Sequence, residues 1–201
     1  MRLKKQSSRI ALRPPVAEDA VALHALIADS PPLDGNSLYC NLLHCTHFSL
    51  TSVAALDVPS VSSDSPEAVA GQSIDDPVDP ARLLGFISAY IPPAQPDTLF
   101  VWQVVVDVSM RGQRLAARML DHILQRPSCA AVRYVDTTIT AANQASRRMF
   151  TAWAARHQAQ VHQAPHFERE RHLGGAHDSE YLIRIGPFRI GSLALAAEAA
   201  T

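Results

Sequence analysis

A basic residue and a glycine stand where an apolar strand should pass into a helix. The stretch VVVDVSMRGQRLAARML covers residues 104–120, with the apolar run ending at Asp107 and helical spacing resuming after Gly112. The first N–H groups of a helix have no partner within it, and together with the helix dipole they attract phosphate. Gly112 lets the backbone approach a ligand closely, and Arg111 adds a complementary charge. The stretch is compatible with a phosphate-binding turn, but on these residues alone a plain strand–turn–helix with a glycine for tightness is the favoured interpretation.

Carboxylates and a histidine elsewhere in the chain have the chemistry that cation binding and proton transfer require. Asp34 lies in PPLDGNS, and His177 and Glu180 lie in GGAHDSEY. A carboxylate holds an ammonium group or accepts its proton, and the near-neutral pKa of histidine suits a proton relay. Each residue also has a simple structural explanation. Asp34 fits a turn or helix cap, Glu180 fits a surface position at a strand entrance, and His177 fits a structural histidine.

Two aromatic residues are candidate walls of a pocket. Trp102 lies in a predicted central strand and Tyr39 in a predicted short helix. Either residue packs in the core or lines a binding site, where the indole N–H or the phenol donates a hydrogen bond.

Cysteine and histidine also cluster in CNLLHCTH, residues 40–47. The usual C-x₂-C pairing of a metal site is missing from this stretch, and cysteines five residues apart on a helix face different ways. We therefore predict no metal site.

The elements that must position these residues are helices and strands in mixed order. This order is neither a pure βαβ winding nor an all-β pattern, so we predict an α/β (mixed α+β) fold. The predicted strands cover residues 8–16, 50–58, 83–91, 98–106, 131–138, 161–167 and 181–185, and the predicted helices cover 17–30, 38–43, 112–126 and 143–157.

The domain organisation follows from a change in composition. Residues 59–81 are rich in Pro, Ser, Asp and Gly, which predicts a flexible insertion. It interrupts one predicted domain over residues 9–188, flanked by tails 1–8 and 189–201.

Charge and cysteine content point away from several classes of protein. The 201-residue chain has a net charge of −1, which argues against a nucleic-acid binder, and no apolar run approaches the length of a membrane span. No signal peptide is evident at the start. The three cysteines are unpatterned, as expected of free thiols in a reducing compartment. We predict a cytoplasmic protein whose partners are small molecules, with neither nucleic acid nor membrane among them.

With the strand before it, RGQRLA resembles the pyrophosphate-binding motif [QR]-x-x-G-x-[GA] of the GCN5-related N-acetyltransferases. Arg111 fills the first position and Ala116 the last, whereas Arg114 replaces the middle glycine. Either Arg114 keeps ordinary helical angles, or its side chain turns outward and adds a cation near the phosphates. The resemblance implies acetyl-CoA as a co-substrate, with no tightly bound cofactor. The residues implied to bind it are Val104, Val106, Arg111, Gly112, Gln113, Arg114, Leu115, Ala116 and Asn143.

Four longer stretches sharpen the resemblance. In order, PPLDGNSLYCNLLHCTHF, QPDTLFVWQVVV, TTITAANQASRRMF and ERERHLGGAHDSEYLIRIGPF are similar to the diaminobutyrate acetyltransferases of ectoine biosynthesis. This family implies transfer of an acetyl group from acetyl-CoA to the 4-amino group of L-2,4-diaminobutyrate, which gives the precursor of ectoine. It also implies a homodimer and a GNAT-like fold. In that fold about four helices flank a mixed sheet of about seven strands, splayed at the strand that carries Val104 and Val106.

The same resemblance assigns roles to the candidate residues. It implies that the substrate contacts Asp34, Tyr39, Trp102, His177 and Glu180. Of these, Glu180, His177 and Asp34 are the predicted catalytic residues, and general base is a role considered for Glu180.

One residue differs from the pattern found in many members of the superfamily. Phe150 stands where many members carry a tyrosine that protonates the departing thiolate, so Tyr39, a water or unassisted departure must serve instead. Two alternatives remain open: a related acetyltransferase acting on a polyamine or another diamine, and a non-catalytic acetyl-CoA-binding module.

Overall fold

A computed structural model describes residues 8–31, 33, 35–59 and 82–188. The predicted tails up to residue 7 and from residue 189, and residues 60–81 of the predicted insertion, lie outside the described residues. Asp34 also lies outside them.

Seven strands and five α-helices make up the described chain. The strands are β1 (Ser8–Arg13), β2 (Val53–Pro59), β3 (Arg82–Tyr90), β4 (Thr98–Val106), β5 (Tyr134–Thr140), β6 (Val161–Phe167) and β7 (Glu180–Ile185). The helices are α1 (Asp19–Ala28), α2 (Leu38–Thr46), α3 (Leu115–Leu124), α4 (Gln144–Arg156) and α5 (Arg169–His172). The predicted mixed fold is confirmed. The short helix α5 is an addition, since the polar stretch RERH carries no apolar periodicity to announce it.

The helix predicted from residue 112 begins three residues later. Arg114, which precedes α3, has φ +58°, so the helix starts at Leu115. The prediction was wrong at this end because apolar spacing marks the buried face of a helix and does not report the backbone angles of the turn before it.

All seven strands form one sheet in the order β1-β2-β3-β4-β5-β7-β6. Every neighbouring pair is antiparallel except β4 and β5, which run parallel. That pairing covers only Thr98–Val101 against Tyr134–Thr137, so the later halves of both strands diverge. The predicted splay is therefore confirmed, and it opens a gap in the middle of the sheet.

Helices cover the sheet on both faces. One apolar cluster joins α1 to β2, β3 and β4 through side chains such as Leu23, Phe86 and Val105. A larger cluster joins α3 and α4 to the other face, and Leu115, Met119 and Ile123 lie in it at helical spacing. The larger cluster holds both edges of the gap, because β4 contributes Leu99 and Val101 to it and β5 contributes Val135 and Ile139.

Candidate active site

The turn between β4 and α3 presents unpaired backbone N–H groups. Gly112 has φ +79° and Arg114 has φ +58°, both in the left-handed region. Within the described ranges, the N–H groups of Gly112, Arg114, Leu115, Ala116 and Ala117 donate to no backbone or side-chain acceptor. Such a row of donors at the positive end of a helix is suited to a phosphate.

Arg114 does not keep ordinary helical angles, so that alternative from the sequence is corrected. An L-residue in the left-handed conformation costs about 1–2 kcal/mol, which is why glycine suits this position. The Arg114 side chain is exposed, as are those of Arg111 and Gln113. Arg111 Nε donates to the Val106 carbonyl at 3.4 Å, which ties the turn to the end of β4.

A hydrogen-bonded aspartate begins the same turn. Asp107 accepts from the backbone N–H of Ser109 at 2.8 Å and from its hydroxyl, and it pairs with Arg82 at 2.6 Å. The hydrogen bond from the Ser109 hydroxyl, helped by the backbone N–H and Arg82, lowers the pKa of Asp107 below its usual range. The carboxylate therefore stays charged and holds the 3₁₀ turn at Val108–Met110 in shape.

The open edge of β4 turns the backbone of Val104 and Val106 toward the gap. The Asp107 N–H donates to the Leu84 carbonyl of β3 at 2.9 Å. Because backbone groups of successive strand residues point to alternate sides, Val105 also faces β3. The N–H and C=O groups of Val104 and Val106 therefore face the side where pairing with β5 has stopped. Buried backbone groups need partners, so this edge is suited to a bound molecule.

A cavity of about 710 Å³ occupies the gap. Its lining combines β4 and β5 with the segment before α2, the start of α4 and the segment before β7. The lining residues are Leu33, Asn36, Tyr90, Phe100, Val101, Trp102, Gln103, Val104, Thr137, Thr138, Ile139, Thr140, Ala142, Asn143, Ser146, Phe150, Phe167, Ala176, His177, Asp178 and Glu180.

The cavity reaches both faces of the sheet. Ile139 belongs to the core under α3 and α4, so its neighbours Thr138 and Thr140 point to the opposite face. Glu180 pairs with Thr140 and shares that face. We call this face, with Trp102, Gln103, Thr138, Thr140 and Glu180, the α2 side.

On the other face of the sheet, the cavity lies beside α3 and α4. Val104 packs against the core under α3 and α4, and Asn143 caps α4 by accepting from the Ser146 N–H at 3.1 Å. We call this part, with Val104, Asn143 and the turn at 111–117, the α3 side.

Trp102 reaches the α2 side because the strand bulges there. Ser88 pairs with Gln103, but the next residue of β3, Ala89, pairs with Val101, so Trp102 is an extra residue in β4. A bulge redirects side chains and bends the strand, and bulges are common beside active sites. The Trp102 side chain is 50% exposed and forms one wall of the cavity.

The structure brings five of the predicted site residues to the cavity: Trp102, Val104, Asn143, His177 and Glu180. Glu180 opens β7, as predicted from the apolar run that follows it. Asp34 lies outside the described residues, although its neighbours Leu33 and Asn36 line the cavity. Tyr39 is 70% exposed on α2 and is not brought to the lining. The other predicted residues, Val106 and 111–116, are not among the lining residues and follow Val104 along the end of β4 and the turn before α3.

Several polar lining residues escaped the sequence analysis. Asn36 Nδ2 donates to Gln103 Oε1 at 2.9 Å, which joins the segment before α2 to the bulge in β4. Thr138, Thr140 and Asp178 also line the cavity. Alternation in YVDTTIT would have placed the two threonines on one face, but no local signal shows that this face meets a gap.

The lining has an acidic character. Asp178 and Glu180 contribute carboxylates, and neither lysine nor arginine is among the described lining residues. Arg169 pairs with Asp178 at 3.1 Å from outside the lining. A cavity of this charge favours a cationic ligand over an anionic one.

Metal-ligand clusters and membrane-spanning helices are both missing from the described residues. Over residues 8–31, 33, 35–59 and 82–188, no three His, Cys, Asp or Glu side chains gather as a metal site would require. None of the helices in those ranges has the length and hydropathy to span a bilayer.

Comparison with known proteins first defines the class. The model of the acetyltransferase (GNAT) family matches residues 66–154. Among solved structures, the NatC complex bound to a Gag peptide and CoA has a TM-score of 0.61 at 13% identity, covering 90% of this chain and 99% of that one, which shows a shared fold. The sheet, its central gap and the turn before α3 are those of a GNAT acetyltransferase fold.

Closer relatives narrow the class to one family. An L-2,4-diaminobutyric acid acetyltransferase of Bordetella parapertussis is 46% identical over 180 residues, covering 90% of this chain and 86% of the relative. The enzyme of the same name from Halomonas elongata is 35% identical over 184 residues, covering 92% and 84%. The solved diaminobutyrate acetyltransferase of Paenibacillus lautus, in complex with L-2,4-diaminobutyric acid and coenzyme A, has a TM-score of 0.74 at 32% identity, covering 90% and 97%. The chain belongs to the family of L-2,4-diaminobutyric acid acetyltransferases.

Proposed function

We propose that this protein transfers the acetyl group of acetyl-CoA to the 4-amino group of L-2,4-diaminobutyrate. The observation that carries the proposal is the cavity itself. Beyond Val104, which lines the cavity on the α3 side, β4 leads into the turn in which five backbone N–H groups have no acceptor among the described residues. On the α2 side, the described lining has carboxylates and neither lysine nor arginine. The turn suits a pyrophosphate and the α2 side suits a diamine.

On the α3 side, the turn at 111–117 binds the pyrophosphate of acetyl-CoA through its backbone. The open edge of β4 at Val104 and Val106 then pairs with the amide groups of the pantetheine arm, much as another strand would. Asn143 lies at the start of α4 beside the same arm. This arrangement brings the thioester to the gap between β4 and β5.

On the α2 side, Glu180 holds the reacting amine and accepts its proton. The substrate carries two ammonium groups, and the neighbouring Asp178 adds to the negative field that attracts them. His177, in the same segment, is placed for proton relay. Asn36, Gln103 and the two threonines offer neutral donors for the substrate carboxylate.

The reaction is a direct transfer without a covalent enzyme intermediate. Once Glu180 has taken a proton from the 4-ammonium group, the neutral amine attacks the thioester carbonyl and a C–N bond forms. The Val104 N–H faces the gap and donates to the developing oxyanion. The C–S bond then breaks, the nitrogen gives up its second proton, and CoA leaves. Alignment of the two reactants supplies much of the rate, because positioning lowers a barrier by about 7–11 kcal/mol.

The departing thiolate has no phenol at the usual place. Phe150 lines the cavity without a hydroxyl, and Tyr39 is exposed outside the lining. Tyr90 is the one phenol in the described lining, and its ring contacts those of Phe48 and Phe100. We assign protonation of the thiolate to water, which carries the proton released by the nitrogen.

Family membership supports a proposal for the biological setting. We propose that the product feeds ectoine synthesis during osmotic stress, and that the protein works in the cytoplasm as a homodimer. Size-exclusion chromatography with light scattering measures the molar mass of the active protein and so tests the proposed dimer. An active monomer would contradict it. With a net charge of −1, small molecules are the expected partners rather than nucleic acid.

A CoA-release assay with four amines tests the activity. We expect diaminobutyrate to be acetylated with the highest kcat/KM, ahead of ornithine, lysine and a polyamine. NMR of the product should place the acetyl group on the 4-nitrogen. A preference for the polyamine would favour the alternative substrate class, and acetylation at the 2-amino group would overturn the proposed orientation. Acetyl-CoA binding without release of CoA for any amine would indicate a non-catalytic module.

A further inference from the structure

A buried histidine on α2 contacts the wall of the cavity without lining it. His44 is 2% exposed, and its ring centroid lies 4.9 Å from that of Trp102 in an edge-to-face arrangement at 79°. The mechanism above assigns no step to this residue. Its position behind a half-exposed indole raises the question of what it does there.

Trp102 needs support from behind because of where it lies. As the extra residue of the bulge, it is outside the regular pairing of β3 and β4, and half of its surface is open. A large side chain with one free face has several staggered conformations available to it. Contact with a fixed ring on the covered face selects one of them, and an edge-to-face pair is a favourable geometry for that contact.

His44 is itself held in place. Its Nε2 lies 3.5 Å from the Cys40 sulfur one helical turn earlier, and its ring lies 5.7 Å from that of Phe48 one turn later. Phe48 in turn contacts Tyr90, which contacts Phe100. The last two rings line the cavity, so α2 and the turn that follows it support the wall at more than one point.

The environment of His44 favours the neutral ring. Burial lowers the pKa of His44, and its Nδ1 has no hydrogen-bond partner among the described residues. A neutral imidazole contributes ring contact rather than charge, which matters beside a site for a dication. Packing is therefore the property of His44 that bears on Trp102.

We propose that His44 is a positioning residue that holds the Trp102 indole as a fixed wall on the α2 side. This inference builds on the proposed function, because the substrate on that side is the diamine. Loss of the supporting ring lets the indole move and weakens the fit of diaminobutyrate, while acetyl-CoA on the α3 side is unaffected.

Steady-state kinetics of four variants test the proposal. In His44→Ala and His44→Gln, we expect the KM for diaminobutyrate to rise about threefold to tenfold, the range that one aromatic pair is worth. The KM for acetyl-CoA should stay within about twofold, and His44→Phe should restore diaminobutyrate binding because it keeps a ring. Cys45→Ala is the matched control. It removes a side chain of α2 that is 1% exposed and belongs to the cluster with α1, so it should lower stability without changing either KM.

Acrylamide quenching of tryptophan fluorescence gives a readout that needs no substrate. The chain has two tryptophans, and Trp153 is buried, so the quenchable signal comes mainly from Trp102. Quenching should increase in His44→Ala and His44→Gln and should match that of the unmodified protein in His44→Phe. In Trp102→Phe it should nearly vanish. Unchanged quenching in the Ala and Gln variants, a parallel rise of both KM values, or failure of Phe to restore them would overturn the proposal. Lack of any diamine-dependent turnover in the unmodified protein would instead contradict the proposed function, and quenching would still decide the role of His44.

Discussion

The α3 side of the cavity uses backbone groups that are neighbours in the chain, whereas the α2 side collects side chains from four separate segments. Gly112 and residues 114–117 supply the N–H groups of the α3 side that have no acceptor among the described residues. The α2 side draws on the segment before α2, the bulge of β4, the end of β5 and the segment before β7. A backbone site tolerates changes of side chain but depends on φ angles. A site built from distant side chains depends instead on the packing that brings them together.

Replacing Glu180 should have the largest effect on activity. This effect should concern the diamine on the α2 side and leave the binding of acetyl-CoA unchanged. Glu180→Gln keeps the shape but cannot accept a proton, so we expect kcat with diaminobutyrate to fall at least about 100-fold, as loss of a general base usually does. The acetyl-CoA KM should stay within about twofold. Initial rates of CoA release at varied concentrations of each substrate measure both. Glu170→Gln is the control, since that side chain is 83% exposed and lies outside the lining. A variant within about threefold of the original kcat would remove Glu180 from the mechanism.

Two glycines with positive φ, one on each side of the cavity, allow a matched pair of substitutions. Gly112 has φ +79° and Gly174 has φ +59°, and an added Cβ at either would meet no atom of the described chain within 4 Å. Valine is strongly disfavoured at such angles, so each substitution distorts its own turn. Gly112→Val should raise the KM for acetyl-CoA about 10- to 100-fold through lost hydrogen bonds to charged oxygens, with the KM for diaminobutyrate little changed.

Gly174→Val is the counterpart, because Gly174 lies in the segment that carries His177 and Glu180. Its effect should appear in the KM for diaminobutyrate and leave that for acetyl-CoA alone. Thermal unfolding of both variants controls for global damage. If Gly112→Val leaves acetyl-CoA kinetics untouched, the turn is a plain structural one.

Arg114 offers a smaller test, in which stability and binding should move in opposite directions. Arg114→Gly removes the cost of a left-handed arginine, so the free energy of unfolding should rise by up to about 1 kcal/mol after the greater chain entropy of glycine is subtracted. The same change removes a cation from the turn. We therefore expect weaker acetyl-CoA binding, by about threefold to tenfold, and a lower sensitivity of the KM to salt.

Arg114→Lys and Arg114→Asn separate these two effects. Lysine keeps the positive charge and also the free-energy cost of left-handed backbone angles. Asparagine tolerates these angles better and carries no charge. If Arg114→Gly tightens acetyl-CoA binding, the arginine hinders the phosphates rather than contacting them.

The smallest predicted effect is a pH dependence of stability that arises from His44, which packs behind Trp102 on the α2 side. Burial lowers the pKa of His44, so the unfolded chain takes up a proton near pH 6.5 while the folded protein resists it. The contribution of His44 to stability is thus complete above that pH and is lost as the pH falls toward the lower folded pKa.

Melting temperatures at pH 5 and pH 7.5 measure this contribution. The loss between the two values should be smaller in His44→Gln than in the unmodified protein. Burial, with a smaller contribution from Arg126, also lowers the pKa of His122, so part of the acid sensitivity should persist in the variant. Equal losses in the two proteins would show that His44 does not titrate in this range.

The sequence by itself determined those features of the protein that depend on local chemistry. The order of strands and helices follows from apolar spacing, the start of α4 from Asn143 as a cap, and the glycine turn before α3 from Gly112 ahead of an amphipathic helix. Resemblance to known families added the acetyl-CoA co-substrate and the diamine. Glu180 was correctly placed at the start of β7 because the apolar run after it marks the strand.

Only the tertiary structure decided how the distant parts meet. The gap exists because β4 and β5 share only four residue pairs, and no local pattern encodes where such a pairing stops. The bulge that turns Trp102 outward depends on the register of two strands, and the contact of His44 with its ring depends on how α2 packs over them. The left-handed angle of Arg114 is a similar case. Its intrinsic preference opposes that angle, and the packing of α3 on the sheet, together with the end of β4, overrides it.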